Sequence, residues 1–182
     1  MRLTILLTAI AVWASHVALA EDVMIEDFES QPEARWQFIA DTVMGGVSTG
    51  RVEFVYGEGD AYARMTGRVS TANNGGFIQF RMELPRALPQ DAVGLRLVVY
   101  GNDQRYFVHL RTGGTLMPWQ YYQAGFDATK EWSEVRLPFK AFKPSSRFLR
   151  RTPKPEAIKS IGVVAFGRDH QAEIGVREVS YY

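Results

Sequence analysis

The sequence predicts an all-β protein, a jelly-roll β-sandwich of two packed sheets, from three observations. Turn signals rich in Gly, Pro, Asn and Asp recur at the spacing of about 8–12 residues that is typical of sandwiches and barrels. Short runs of Val, Ile, Phe, Tyr and Thr lie between these turns. After residue 20, no stretch keeps a helical period over three turns.

The apolar runs predict the strands one by one. They are expected at residues 23–28, 36–40, 48–55, 61–69, 76–84, 93–100, 105–111, 119–126, 132–138, 158–166 and 172–181. So many strands in one domain are most economically arranged as two antiparallel sheets packed face to face.

Alternation along two of these strands separates a buried face from a partly wet face. The first set is expected to face one way: Tyr106, Val108, Leu110, Ile78, Phe80, Met82 and Leu84. The second set is expected to face the other way: Phe107, His109, Arg111, Phe77, Gln79 and Arg81. Four further aromatic residues are predicted to lie in the core: Trp36, Phe38, Trp132 and Phe139.

The first 20 residues have the layout of a secretory signal peptide. Arg2 precedes an apolar run, and the segment ends in Ala18-Leu19-Ala20. The run is shorter than the roughly 20 residues that a membrane-spanning helix needs. We therefore expect cleavage before Glu21, export to the periplasm or exterior, no later transmembrane segment and one domain over residues 21–182.

The composition excludes several kinds of partner and site. The chain has 21 basic and 20 acidic residues, and loss of Arg2 with the signal makes the two equal. A balanced charge argues against nucleic acid as a partner. The absence of cysteine excludes a Cys nucleophile, a disulfide and a thiolate metal site.

The stretch ADTVMGGVSTG, residues 40–50, is the most glycine-rich part of the chain. A phosphate-binding loop would be followed by a helix, whereas this stretch is followed by the β pattern RVEFV. Gly45 and Gly46 are therefore expected to provide a positive φ or a close backbone approach. Asp41 is expected to cap turn amides.

Several motifs occur in the order of a known family: WQFIADTVMGGVSTGRVEF, GRVSTANNGGFIQFRMEL, GLRLVVYGNDQRYFVHLRT, YYQAGFDATKEWSEVRLPFKAFKP and IKSIGVVAF. Together they resemble the complex I intermediate-associated protein 30 family from about Asp27 to Tyr182. The resemblance implies a galactose-binding-like jelly roll. It also implies a chaperone-like assembly factor without catalytic residues, because the mitochondrial members assist assembly of NADH:ubiquinone oxidoreductase.

No catalytic or metal-binding pattern emerges from the residues themselves. Ser48, His109 and Asp41 could be drawn as a triad, but the chain has no G-x-S-x-G elbow. The histidines lack metal-ligand spacing, so neither a metal nor a cofactor is predicted. A structural Ca²⁺ on Glu58 and Asp60 stays open as a minor alternative.

Two stretches are candidates for binding. Aromatic side chains near a loop, together with polar groups from neighbouring turns, predict a platform for a sugar or peptide; these residues are Asn73, Asn74, Arg111, Trp119 and Tyr121. The alternative is that at least half of the rings in LMPWQYYQAGF fill the core.

The second stretch is the basic segment 139–159, expected to be an extended loop that crosses between the sheets. Its candidate partner-binding residues are Lys143, Arg147, Arg150 and Arg151. The resulting expectation is an exported, non-catalytic binding or assembly factor that recognises a protein partner. The alternative is a carbohydrate-binding module, and a hydrolase ranks below both.

Overall fold

The computed structural model describes residues 21–57 and 61–182; the predicted signal peptide and the Glu58 and Asp60 pair lie outside the described residues. The described chain forms twelve strands. They are β1 (Val23–Glu26), β2 (Trp36–Ala40), β3 (Thr49–Val55), β4 (Tyr62–Val69), β5 (Phe77–Glu83), β6 (Gly94–Gly101), β7 (Gln104–Thr112), β8 (Tyr122–Ala128), β9 (Ser133–Pro138), β10 (Lys143–Pro144), β11 (Ile158–Phe166) and β12 (His170–Tyr181).

The strands form two six-stranded antiparallel sheets, which confirms the predicted sandwich. The first sheet has the order β3-β4-β12-β6-β9, and β1 pairs with β12. The second sheet has the order β10-β8-β7-β11-β5-β2. Strand β11 is inserted between β7 and β5, so strands distant in sequence become neighbours in the second sheet.

The core lies between the sheets and follows the predicted alternation. Tyr106, Val108 and Leu110 of β7 are fully buried, as are Ile78 and Phe80 of β5. Trp36 and Phe139 are also core residues, and Phe38 packs partly buried against them. Each predicted strand is present, and the ends of the strands differ from the predicted ends by a few residues at most.

Three local expectations differ from the structure. Strand β8 begins at Tyr122 rather than at residue 119, because residues 113–121 form a loop in which Gln120 accepts hydrogen bonds from the Leu116 and Met117 amides. The basic segment contains the short strand β10, which pairs with β8. The prediction that Trp132 is a core residue is wrong: its ring lies on the outside of the first sheet and is 37% exposed.

The glycine-rich stretch is a β-corner organised around Asp41, as its turn chemistry predicts. The buried Asp41 carboxylate accepts hydrogen bonds from the amide and hydroxyl of Ser48 and from the amides of Gly76 and Phe77. Burial raises the pKa of Asp41, but these hydrogen bonds outweigh it, and the pKa is lowered overall. Asp41 therefore joins the corner to the turn before β5.

Glycine is required at this corner for the two expected reasons. Gly45 has a φ of 89°, in the left-handed region that favours glycine. A Cβ atom at Gly46, or at Gly75 of the facing turn, would collide with the Asp41 carboxyl. The corner also displays Val43 and Met44 to solvent.

Among the residues that the structure describes, none belongs to a helix with the length and apolar character needed to cross a membrane.

Candidate binding surface

The side of the second sheet that faces away from the core, called the outer face below, carries aromatic and polar side chains. Pairing places residues from all six strands in one row across it. This row contains Lys143, Gln123, His109, Gly162, Arg81 and Gln37. At about 4.8 Å between strands, the row spans about 24 Å.

Three aromatic rings form a cluster on the outer face. The His109 imidazole and the Tyr121 ring stack with centroids 4.0 Å apart, and Phe166 contacts His109 edge-on at 5.5 Å. Val164, which points outward from β11, is fully buried although it is not part of the main core. The cluster is thus a small apolar layer outside the sheet.

His109 is neutral at physiological pH in this setting. Burial lowers the pKa of His109 to about 4, although the hydrogen bond with Gln123 favours the charged ring. The Nε2 atom of His109 lies 2.8 Å from Oε1 of Gln123. His109 therefore contributes an uncharged ring to the cluster rather than a cation.

Two guanidinium groups lie beside the ring cluster. Arg111 donates through Nη2 to the carbonyl oxygens of Thr115 and Met117, which fixes the following loop. Burial lowers the pKa of Arg111, and the positive charge of Arg81 lowers it further. The aliphatic part of the Arg81 side chain lies over Gly162. A Cβ atom added at Gly162 would lie 3.6 Å from the Cβ and Cγ atoms of Arg81.

One end of the second sheet exposes an unusual number of apolar side chains. Leu116 is 82% exposed, Trp119 is 62% exposed, and Met117 is also exposed. Phe148 in the basic segment is 79% exposed. Such side chains are rarely displayed together by a soluble domain without a binding role.

Ser145 joins the two loops that carry these side chains. Its hydroxyl donates to the Trp119 carbonyl and accepts from the Tyr121 amide, and its own amide donates to the Tyr121 carbonyl. We define the apolar–basic end as residues 115–121 together with 143–151.

The predicted partner-binding residues all belong to the apolar–basic end, and two of them, Lys143 and Arg150, are held through their backbone. The Arg147 guanidinium lies over the Phe148 ring, 5.1 Å from its centroid. The Arg150 backbone hydrogen bonds with the buried Tyr122 hydroxyl. Lys143 lies opposite Gln123 and so borders the outer face.

The structure brings some of the predicted ligand-binding residues together and separates others. Arg111, Trp119 and Tyr121 adjoin one another at the apolar–basic end. Asn73 and Asn74 precede the start of β5, whereas Arg111 pairs through Ser160 with Glu83 at its far end. Six residues of extended strand, about 20 Å, separate the two groups.

No catalytic arrangement is found within the part of the chain that the structure describes. Ser48 does hydrogen bond with Asp41, but His109 lies on the outer face and bonds with Gln123 instead. A hollow lined by Arg35, Gln37, Arg81 and Glu83 has a single carboxylate. Residues 21–57 and 61–182 hold no group of three His, Asp or Glu side chains suited to a metal ion.

The outside of the first sheet is closed by its own contacts. The Tyr62, Tyr100 and Trp132 rings pack edge to face, with centroids 4.6–5.9 Å apart. Arg96 bonds with Glu134 and Glu178. These rings and charged side chains of the first sheet are thus in contact with one another.

Sequence reasoning missed several residues of the outer face as site residues. Alternation put His109 and Arg81 on the faces opposite Val108 and Met82, but it did not indicate which face is buried, and neither residue was assigned to a binding site. Phe166 and Gln123 gave no signal of their own, because their contact with His109 depends on which strands pair. A glycine at position 162, in the middle of an apolar run, was an available hint that neighbouring side chains cross the strand there, as those of Gln79 and Arg81 do.

The sequence comparison settles the family. The family model for complex I intermediate-associated protein 30 matches residues 26–174, which is most of the chain. The chain belongs to the complex I intermediate-associated protein 30 family. No curated protein matches its sequence.

Solved structures share the fold of this family member at low sequence identity. A family 11 carbohydrate-binding module of a cellulosomal cellulase of Clostridium thermocellum has a TM-score of 0.71 and 13% identity, covering 90% of this chain and 95% of that chain. The same kind of module in complex with a β-1,3-1,4-mixed-linked tetrasaccharide has a TM-score of 0.70 and 13% identity, covering 88% and 94%. A family 30 module from the same organism has a TM-score of 0.56 and 10% identity, covering 89% and 97%. These likenesses establish the jelly-roll fold.

Proposed function

We propose that this protein is an exported, non-catalytic binding factor that recognises a partner protein through its apolar–basic end. Membership of the complex I intermediate-associated protein 30 family supports a role in associating with other proteins. The observation that carries the proposal is the joint exposure of Leu116, Trp119 and Phe148 beside a run of cations.

The chemistry of this end indicates the chemistry of the partner. Trp, Phe, Met and Arg are enriched at protein interfaces, and Trp and Arg often dominate their energetics. Residues 143–151 contain four basic residues and no acidic one, and Lys140 and Lys154 flank them; the four are Lys143, Arg147, Arg150 and Arg151. The fitting partner is therefore a protein surface with an apolar centre and an acidic rim.

Charge reversal tests this proposal directly. The tagged full chain is expressed in its own cells and crosslinked, and captured proteins are compared between the wild type and Arg150→Glu/Arg151→Glu. The control is Arg51→Glu/Arg86→Glu, which makes the same charge change at exposed sites elsewhere. We expect one protein to be captured by the wild type and control but not by the first variant. Equal capture by all three, or no capture, would contradict the proposal.

Carbohydrate binding is a second candidate, favoured by the outer face. The His109, Tyr121 and Phe166 rings provide an apolar aromatic surface, and the Gln79 and Gln123 amides lie beside it. Aromatic surface with a few polar groups is the usual make-up of a small-ligand site. The carbohydrate-binding modules of similar fold support the same idea.

Calorimetry with soluble polysaccharides tests the second candidate. Tyr121→Ala removes one ring of the cluster, whereas Tyr56→Ala removes an exposed tyrosine that lies outside the outer face, beyond β3. Saccharide binding that is lost in the first variant and kept in the second is the expected result. Equal binding by both variants would show that the ring cluster is not the site.

A further inference from the structure

The outer face has more positive than negative charge, although the chain as a whole is balanced. Arg105 is paired with Asp127, which leaves Arg81, Arg111 and Lys143 facing one acid, Glu83. Glu83 is two-thirds exposed and lies 3.8 Å from Arg81, so their attraction is weak.

The two arginines are close enough to affect each other. Arg81 and Arg111 lie on adjacent rows of the face, separated by the Gly162 and Ser160 positions of β11. Among the described residues, none accepts a hydrogen bond from the Arg81 guanidinium within normal distance, so its donors are available. A carboxylate bound between the two arginines is stabilised by both positive charges and by the N–H donors of Arg81, since Nη2 of Arg111 already donates to two carbonyl oxygens.

A hollow adjoins Arg81 at the β5–β2 side of the face. It is lined by Arg35, Gln37, Arg81 and Glu83 and has a volume of about 330 Å³. Arg35 is already held by the buried Glu26 carboxylate at 2.8 Å, so Arg81 and Gln37 are the donors that a ligand would meet. Volumes of this size accommodate small ligands.

We propose that the outer face binds an acidic saccharide, in which sugar rings lie on Tyr121 and Phe166 and carboxylates are bound by Arg81, Arg111 and Lys143. This inference rests on the carbohydrate candidate above and specifies its ligand class. His109 and Arg81 are two strands apart in the same row, about 10 Å, so one short chain of sugars reaches both the rings and the guanidinium groups.

The test compares three polymers by calorimetry with the full chain: polygalacturonate, a neutral mixed-linked β-glucan and poly-L-glutamate. Arg81→Gln removes a cation that has no hydrogen bond to lose, and Arg111→Lys keeps the charge of a residue that also fixes a loop. Arg51→Gln is the matched control on β3 of the first sheet. Thermal melts show that each variant is folded.

We expect polygalacturonate to bind, Arg81→Gln to weaken it at least about fivefold, and the Arg51→Gln control to leave it unchanged. Arg111→Lys should weaken it less than Arg81→Gln. Equal binding of the β-glucan, unaffected by Arg81→Gln, would overturn the acidic specificity while supporting the carbohydrate candidate. If poly-L-glutamate bound as tightly as polygalacturonate, binding would depend on negative charge alone and not on the sugar, which would overturn the inference. No binding of either saccharide would overturn both.

Discussion

The imidazole of His109 stacks on the ring of Tyr121 with centroids 4.0 Å apart and planes only 12° from parallel. This contact joins the middle of β7 to Tyr121, the residue that precedes β8 and the last residue of the 115–121 part of the apolar–basic end. The imidazole in this contact is uncharged at neutral pH, because burial lowers the pKa of His109 to about 4. The histidine in the aromatic cluster of the outer face is therefore neutral.

Acid should destabilise the protein through His109. The folded-state pKa of about 4 lies below the ordinary value of 6.5, so the unfolded chain takes up this proton first as the pH falls. The free energy of unfolding should therefore decrease from about pH 6.5 to about pH 4, with no contribution from His109 above that range. Urea unfolding of the wild type and His109→Gln at several pH values measures it. An identical pH dependence in both proteins would contradict the prediction.

Removal of the Asp41 carboxylate should destabilise the fold strongly. Asp41→Ala leaves the buried amides of Ser48, Gly76 and Phe77 without their acceptor. Since unsatisfied buried donors are costly, we expect a loss of about 2–4 kcal/mol in the free energy of unfolding. The control Asp91→Ala changes an exposed aspartate and should cost less than about 0.5 kcal/mol. Similar losses in the two variants would refute the central place of Asp41.

The facing turn should not tolerate a side chain at Gly75. Gly75→Ala places a methyl group against the Asp41 carboxyl, whereas at Gly114 the nearest atom would be 3.7 Å away. We expect Gly75→Ala to lower the free energy of unfolding by about 1–3 kcal/mol, as overpacking does elsewhere. Chemical denaturation of Gly75→Ala and Gly114→Ala gives the comparison; the idea fails if the Gly114 variant is the less stable.

Neighbouring aromatic residues should differ sharply in their effect on stability. Tyr122 is 2% exposed and lies in the core, whereas Trp119 belongs to the exposed loop. Tyr122→Ala should cost about 3–5 kcal/mol, and Trp119→Ala should change stability by less than about 0.5 kcal/mol. Thermal unfolding of both variants measures this difference in stability. A large loss in Trp119→Ala would mean that its ring is structural rather than a binding group.

Local pattern predicted most of this fold because a strand repeats every two residues. Alternation alone placed Phe107, His109 and Arg111 on one shared face of their strand, and Asp41 was identified as a cap from its turn chemistry. Pairing is different, because no local pattern indicates that β11 enters between β7 and β5. The contact of Phe166 with His109 follows from that insertion and was therefore not predictable.

The one aromatic residue placed wrongly in the core shows the same limit. Trp132 stands at the turn before β9, where alternation gives no information about burial. Its ring packs instead on Tyr100, which lies over Gly175 of β12 on the outside of the first sheet. Similarly, Asn73 and Asn74 were grouped with Arg111 because each group lies at or beside a predicted turn. Turn chemistry does not indicate at which end of the sheet a turn lies, and these two turns lie at opposite ends.

Site-specific photo-crosslinking tests the central claim most directly, namely that the apolar–basic end is the surface that meets a partner protein. A photoreactive residue replaces Phe148 in one variant. In the control variant it replaces Val43, an exposed apolar residue at the opposite end of the second sheet. The proposal predicts a crosslink from position 148 to one protein that carries an acidic surface, and none to that protein from position 43. Crosslinks of equal strength from both positions, or from position 43 alone, would contradict it.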